Sequence, residues 1–323
     1  MFKRNLVPVW FGIILLSGMF LMGQEGWKEP RCEIVSFPDP NLEYAIRVAL
    51  ARPPPDDICA SDLQGLTDLV AISYGISDLS GIEDCSNLNS LLVQNNLVFD
   101  LSPLSGLANL TALHLGYNMI SDLTPLSGLA NLTDLYLHGN AVSDVSALSG
   151  LVHLEVLYLN SNLVSDVSPL SGLVNLSELG LAFSPISDVS GLSGLASLTH
   201  LDLSSDQVSD VSPLSGLVTL THLHLRNNQI SDVSGLSGLV SLSVLDLGGN
   251  QISDVSALSD LVSLASLDLW YNEVSDLNPL VLNAGIDSGD LVDVTSNPLD
   301  TNSCTVSIPN LEGRGVTVHH DCP

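Results

Sequence analysis

The sequence predicts an α/β solenoid: stacked coils with a parallel sheet along the inner curve. Three observations carry that expectation. Leucines at Leu66, Leu88, Leu110, Leu132, Leu154, Leu176, Leu198, Leu220, Leu242 and Leu264 recur every 22 residues without a slip. Counting each of these as offset zero, offsets +3 and +5 are apolar in almost every copy, as at Leu135 and Leu137, which is the alternation of a short strand. Offset +8 is asparagine at Asn96, Asn118, Asn140, Asn162, Asn228, Asn250, Asn272 and Asn297, with Ser184 and Asp206 in its place twice. A fixed period of this length marks a repeat array. One such unit cannot bury its leucines alone; stacking gives them a continuous core.

The N-terminus opens with Lys3 and Arg4, then an apolar run from Val7 to Met22, then Gly23, Gln24 and Glu25. This reads as a secretory signal over residues 1–23. An uncleaved signal anchor is the alternative, because the run is long and Leu21–Met22–Gly23 is a poor cleavage site. Residues 24–65 form the expected N-terminal cap, with a short helix near Asp39 to Leu50. Asp39 suits its N-cap and Pro40 its first turn, while Leu42, Ala45, Ile46, Ala49 and Leu50 make one apolar stripe. Arg52-Pro53-Pro54-Pro55 ends it.

Residues 66–285 hold the ten 22-residue repeats. An inward asparagine at +8 can bond backbone groups where each coil turns. The second half of each copy is too short for a regular helix. Pro103, Pro125, Pro169, Pro213 and Pro279 pre-set a tight turn there, so a single 3₁₀ turn or an irregular segment is expected. The aspartate at +12, from Asp78 to Asp276, reads as a cap on its own turn. A calcium ladder is the rival, though the spacing fits no calcium loop. Residues 286–323 contain a degenerate copy around Leu291 to Asn297 and a closing element from Cys304 to Cys322.

The chain has 8 Lys+Arg against 36 Asp+Glu, a formal charge of −28. With 45% hydrophobic residues it is no disordered acidic tail. The charge argues against nucleic acid and anionic lipid. A membrane partner is expected only if the N-terminal segment stays uncleaved. Five cysteines fit an oxidising, exported setting. They do not determine a pairing. The expected bridges are Cys32–Cys59 and Cys304–Cys322, each flanking a terminal segment, with Cys85 a buried thiol in a leucine position.

The pattern LxxLxLxxNxIsDlsPLsgL resembles the 22-residue leucine-rich repeat of bacterial internalin-like proteins. Phe37-Pro-Asp-Pro-Asn-Leu-Glu is similar to the N-terminal cap of secreted members, and Gly289 through Val316 to their C-terminal end. The resemblance implies a leucine-rich repeat arc with a parallel concave sheet and short 3₁₀ or irregular convex segments, capped at both ends. Internalins proper carry an immunoglobulin-like domain and often a sorting signal after the repeats. Neither is expected here, so invasion and wall anchoring are not. A secreted or cell-surface, bacterial extracytoplasmic location is expected.

The resemblance places partners on the concave sheet, and strand alternation agrees, because offsets +2, +4 and +6 face out and +7 lies at the rim. Five of the eight histidines and four of the six tyrosines fall there, with Trp270, while the convex offsets are nearly all Ser, Gly, Ala, Asp and Asn. Exposed aromatics are common anchors of protein interfaces. The candidate ligand-binding residues are Tyr117, Tyr136, Tyr158, Phe183, His200, Asp202, His222, His224, Arg226, Trp270 and Tyr271. The partner is expected to be a protein, with a glycan or a purely structural, surface-associated array as alternatives, and the chain a monomer. His200, His222, His224 and Asp202 are a weaker candidate for a zinc-like ion, against cross-strand charge pairing. No nucleophile elbow, phosphate loop or HExxH motif occurs, so neither catalysis nor a cofactor is expected.

Overall fold

The computed structural model describes residues 32–323. The expected signal segment lies outside them. Helix α1, Pro40–Ala49, starts where the sequence places it, because the Asp39 carboxylate accepts from the amides of Asn41 at 2.8 Å and Leu42 at 3.2 Å. Its other oxygen accepts from Ser77 N at 2.7 Å and Asp78 N at 3.2 Å, so one side chain ties the cap to the first coil. Burial alone would push Asp39 upward. Backbone donors from Ser77, Asn41, Asp78 and Leu42 outweigh it and hold the carboxyl below its usual range. Leu42, Ala45 and Ile46 are buried. The expected stripe weakens there: Ala49 is exposed, and Leu50 is half-buried against the core. A second short helix, α2, Ala60–Leu63, completes the cap.

The array forms one open sheet of 12 parallel strands in chain order. They are β1 Asp68–Val70, β2 Ser90–Leu92, β3 Ala112–His114, β4 Asp134–Tyr136, β5 Val156–Tyr158, β6 Glu178–Gly180, β7 His200–Asp202, β8 His222–His224, β9 Val244–Asp246, β10 Ser266–Asp268, β11 Leu291–Asp293 and β12 Thr317–His319. Each leucine at +3 pairs with its equivalent in the next coil, as Leu135 with Leu157. The segment expected as a closing element is a true twelfth strand: Val292 pairs with Val318. The leucines of offsets zero, +3 and +5 are buried throughout and form one core running the length of the arc.

The outer side is built as expected from single 3₁₀ turns such as Ser102–Leu104 and Ser146–Leu148, lengthening at Ser168–Gly172 and Ser212–Gly216. Only the last repeat makes a short helix, α3, Asn278–Leu282. Each +12 aspartate caps its turn: Asp100, Asp144 and Asp232 accept from the amides of Ser102, Ser146 and Ser234, each at 2.8 Å. That bond, with the serine hydroxyl, holds the carboxyl of Asp144 below the usual range. The disulfides Cys32–Cys59 and Cys304–Cys322 close the two ends, each with Cα atoms 5.6 Å apart. The second lies beside α4, Ile308–Gly313. Cys85 is a buried free thiol, and burial, with Asp84 and Glu83 nearby, pushes it up to about 12.

The +8 asparagines link the coils. Asn140 Oδ1 accepts from Ile120 N at 3.0 Å, and its Nδ2 donates to the carbonyls of Leu115 at 3.0 Å and Leu137 at 2.9 Å. Leu137 O also accepts from Asn162 Nδ2 at 3.0 Å, so this +5 carbonyl is shared by two rungs. The ladder is broken where Ser184 and Asp206 replace asparagine. Asp206 Oδ1 still accepts from Ser184 N at 2.8 Å. Asp206 Oδ2 and Ser184 Oγ are buried without a partner among the described residues. Neither replacement carries an amide for the Leu181 carbonyl that lies between them. Burial, opposed by the Ser184 amide and reinforced by Asp202, pushes the Asp206 carboxyl up to about 7.

Two outcomes follow from this packing. Leu157→Ala, at a fully buried +3 position, lowers stability by about 2–5 kcal/mol, read by denaturant unfolding. Asp206 has a folded-state value above its unfolded one, so its contribution is present below about pH 4 and lost as pH rises toward about 7. Asp206→Asn restores the amide and removes that dependence. The variant therefore gains more in Tm over wild type at pH 8 than at pH 4.5, as parallel thermal melts would show.

Candidate functional site

Because +3 leucines point in, the flanking +2 and +4 side chains point out: Leu135 is fully buried while Asp134 and Tyr136 are half-buried on the concave side. The strand spacing of about 5 Å then stacks equal offsets into columns. At +4, His114, Tyr136 and Tyr158 form one such column. The His114 and Tyr136 ring centroids lie 4.1 Å apart, and the Tyr136 and Tyr158 rings stack at 5.2 Å with planes 10° apart. The Tyr158 hydroxyl donates to Glu178 Oε2 at 2.9 Å. Burial first, then that carboxylate, pushes the Tyr158 phenol up to about 12. Gly180 ends the column, and a Cβ there would meet the Tyr158 ring at 2.6 Å. Beside it, Tyr117 meets His138 edge-on at 4.9 Å and 84°.

Further along, His200 and His222 stack at 4.2 Å with planes 14° apart. Their Nδ1 atoms lie against the Thr199 and Thr221 hydroxyls at 2.9 and 3.0 Å. Burial, then the neighbouring His200 and His224, pull His222 below its usual value. The quartet His200, His222, His224 and Asp202 does not converge as a metal cage. The imidazoles lie flat against each other, and Asp202 Oδ1 accepts from Ser204 N at 3.0 Å. Among the described residues no three His, Cys, Asp or Glu side chains are placed to hold a metal ion.

A third cluster lies near the C-terminal end. Arg226 donates to Asp268 Oδ2 at 3.1 Å and lies over the Trp270 ring at 4.8 Å. Trp270 packs on Tyr271 at 5.3 Å. Asp268 Oδ1 accepts from Trp270 N at 2.8 Å, and Asp202, Asp246 and Asp293 bond the amide two residues on in the same way. Sequence reasoning missed this local role. The signal was an aspartate two residues before an amide that leaves the strand pattern.

The rim residues Tyr117, Phe183 and Tyr271 have φ of 54°, 60° and 52°. Equivalent positions carry Ser73, Asn95, Gly139, Ser205 and Gly249, also at positive φ. A left-handed aromatic costs more than asparagine or glycine. All three rings are exposed. Offset +6 is less open than expected, since Ala182 is buried. The sequence reading also passed over Leu97, Phe99, Met119 and Leu163, which are exposed on the flank beyond the rim. Among the described residues the four arginines are all engaged: Arg47 with Glu43, Arg52 with Asp62, Arg226 with Asp268, and Arg314 with the carbonyls of Val281 and Asn283.

Coils, ladder and concave sheet together define a leucine-rich repeat protein. A family model described as Leucine Rich repeats (2 copies) matches residues 108–150, 130–172, 152–194, 218–260 and 240–282. An internalin (inlF) of known structure from Listeria monocytogenes is 31% identical, with 88% of this chain and 91% of that one covered and a TM-score of 0.75. Internalin C2 from the same species is 38% identical over 71% of this chain and 92% of its own, with a TM-score of 0.57. The functional domain of InlJ, at 23% identity and a TM-score of 0.74, shares the fold, with 88% of this chain and 60% of that one covered. Within the class, this chain belongs to the internalin-like leucine-rich repeat proteins. Internalin H of Listeria monocytogenes is 36% identical over 75 residues, which is 23% of this chain and 14% of that protein.

The histidine stack has a spectroscopic consequence. In an NMR titration His222 is expected to turn over below free histidine, and His200→Asn to return it only part of the way, because burial is the larger cause. A midpoint at or above that of free histidine would contradict the packed geometry.

Proposed function

We propose that this chain is an exported binding module that captures a protein on its concave sheet, without a catalytic step. The observation that supports it best is the pre-stacked column His114–Tyr136–Tyr158 on a rigid sheet. Rings already held in place lose little freedom on binding, which is the condition under which aromatic anchors contribute most. The cluster of Arg226, Trp270 and Tyr271 offers a second anchor of the same kind. His200, Asp202, His222 and His224 lie on the strands between them, and Tyr117 and Phe183 on the rim.

A glycan reading is less favoured by the geometry. Sugars stack on open ring faces, whereas Tyr136 and Tyr158 turn faces toward each other. Export is supported by the two disulfides, which persist in oxidising compartments. The signal-like N-terminus supports a secreted or cell-surface location.

The test is capture of extracellular proteins by wild type and by Tyr136→Ala/Tyr158→Ala/Trp270→Ala, beside a glycan array. The triple variant is expected to keep its circular dichroism and to lose the captured protein, each anchor contributing about 1–2 kcal/mol. Unchanged capture would move the role to another surface or to a structural array. Binding confined to glycans would replace the protein partner.

A further inference from the structure

A repeat protein contains its own controls. Offset +9 lies on the flank just beyond the rim. In every coil compared its amide donates to the previous coil: Leu97 to Ile76 O at 2.7 Å, Met119 to Val98 O at 2.9 Å, Leu163 to Val142 O at 2.8 Å, Gln207 to Ile186 O at 2.8 Å and Gln251 to Ile230 O at 2.9 Å. The backbone setting is therefore the same along the arc. The later coils fill the position with Gln207, Gln229, Gln251 and Glu273. The second to sixth coils carry Leu97, Met119, Ala141, Leu163 and Pro185, of which Leu97, Met119 and Leu163 are large and 50%, 52% and 57% exposed. Two positions on, serine is the rule, as at Ser121, Ser143 and Ser165, but the second coil has Phe99, 60% exposed. The fold does not require these apolar side chains, because polar ones serve the same backbone elsewhere. They leave an apolar strip on one side of the N-terminal half. Such strips mark interaction sites.

The charge beside the strip indicates what covers it. One residue after Phe99, and three after Met119 and Leu163, stand Asp100, Asp122 and Asp166. Hydrogen bonds from Ser102, Thr124 and Ser168 keep these carboxyls below their usual range, so they stay ionised. Among the described residues no arginine is unengaged and no lysine occurs, so no cation among them offsets these carboxylates. A second copy would bring the same acid to the same face.

We propose that the flank of the second to fifth coils is a docking strip for a cationic amphipathic polypeptide segment, its apolar face on Leu97, Phe99, Met119 and Leu163 and its basic residues on the +12 aspartates. From Leu97 to Leu163 the strip runs three coil steps, about 15 Å, which about 10 residues of helix span, so a helix of about 14 residues covers it. The surface is separate from the inner sheet and does not rest on the concave reading.

The test uses the full chain and a labelled peptide of about 14 residues, with leucines on one helical face and lysines on the other. The comparators are the same composition scrambled and the peptide with glutamate for lysine. The variant Leu97→Gln/Phe99→Ser/Met119→Gln/Leu163→Gln introduces only residues that other coils carry at these offsets. It should fold as wild type, which circular dichroism checks, and it leaves every inner-face candidate in place. The expected result is that wild type binds the patterned lysine peptide at least about tenfold more tightly than the variant does, and more tightly than either comparator binds wild type. Equal binding to the variant, or equal binding of the scrambled peptide, would reduce the effect to net charge and overturn the strip. Self-association of wild type that the same substitutions abolish would assign the strip to a second copy and overturn the cationic partner.

Discussion

Each coil can bury its leucines only against the coil on either side, and in most coils the asparagine of a neighbour satisfies the turning backbone. Asn140 shows both halves of this constraint: it accepts from the coil before it and donates to carbonyls of two coils. No coil is a folding unit by itself. The covers at the ends are therefore part of the same physics. Asp39 holds α1 and the first coil with one carboxylate, and β12 extends the sheet so that β11 is not its edge.

In-register stacking turns a choice of residue type into a column on the surface. Where +4 is aromatic in successive coils, rings stack; where +2 is histidine twice, imidazoles stack. Where +12 is always aspartate, ten carboxylates run along the outer turns. That row is tolerated because each one already accepts from its own turn, as Asp144 does from Ser146 N at 2.8 Å. The same bond that caps the turn keeps the charge in place, so the acidity of the surface is tied to the fold. The one aspartate that enters the asparagine ladder, Asp206, lacks such a set of donors for its second oxygen, and its carboxyl moves the other way.

The concave face and the flank differ in how their residues are held. Tyr158 is bonded to Glu178, and Arg226 to Asp268 while covering Trp270. These side chains are held by neighbours on the sheet. Leu97, Met119 and Leu163 are exposed instead, and the polar residues at the same offset in later coils show that the fold places no demand on them.

Period, strand alternation, the asparagine rungs, the aspartate caps and the 3₁₀ turns were legible in the sequence, because each depends on neighbours along the chain or on the same offset one repeat away. Fixed spacing makes those neighbours known without coordinates. Tertiary structure alone decided how outward side chains spend that proximity. His200 and His222 stack instead of chelating, Asp268 turns to a backbone amide, and Ala182 sinks below the surface while Phe183 rises from it. These outcomes rest on ring orientation, on local backbone twist and on which donors lie within about 3 Å, and a one-dimensional period carries none of those.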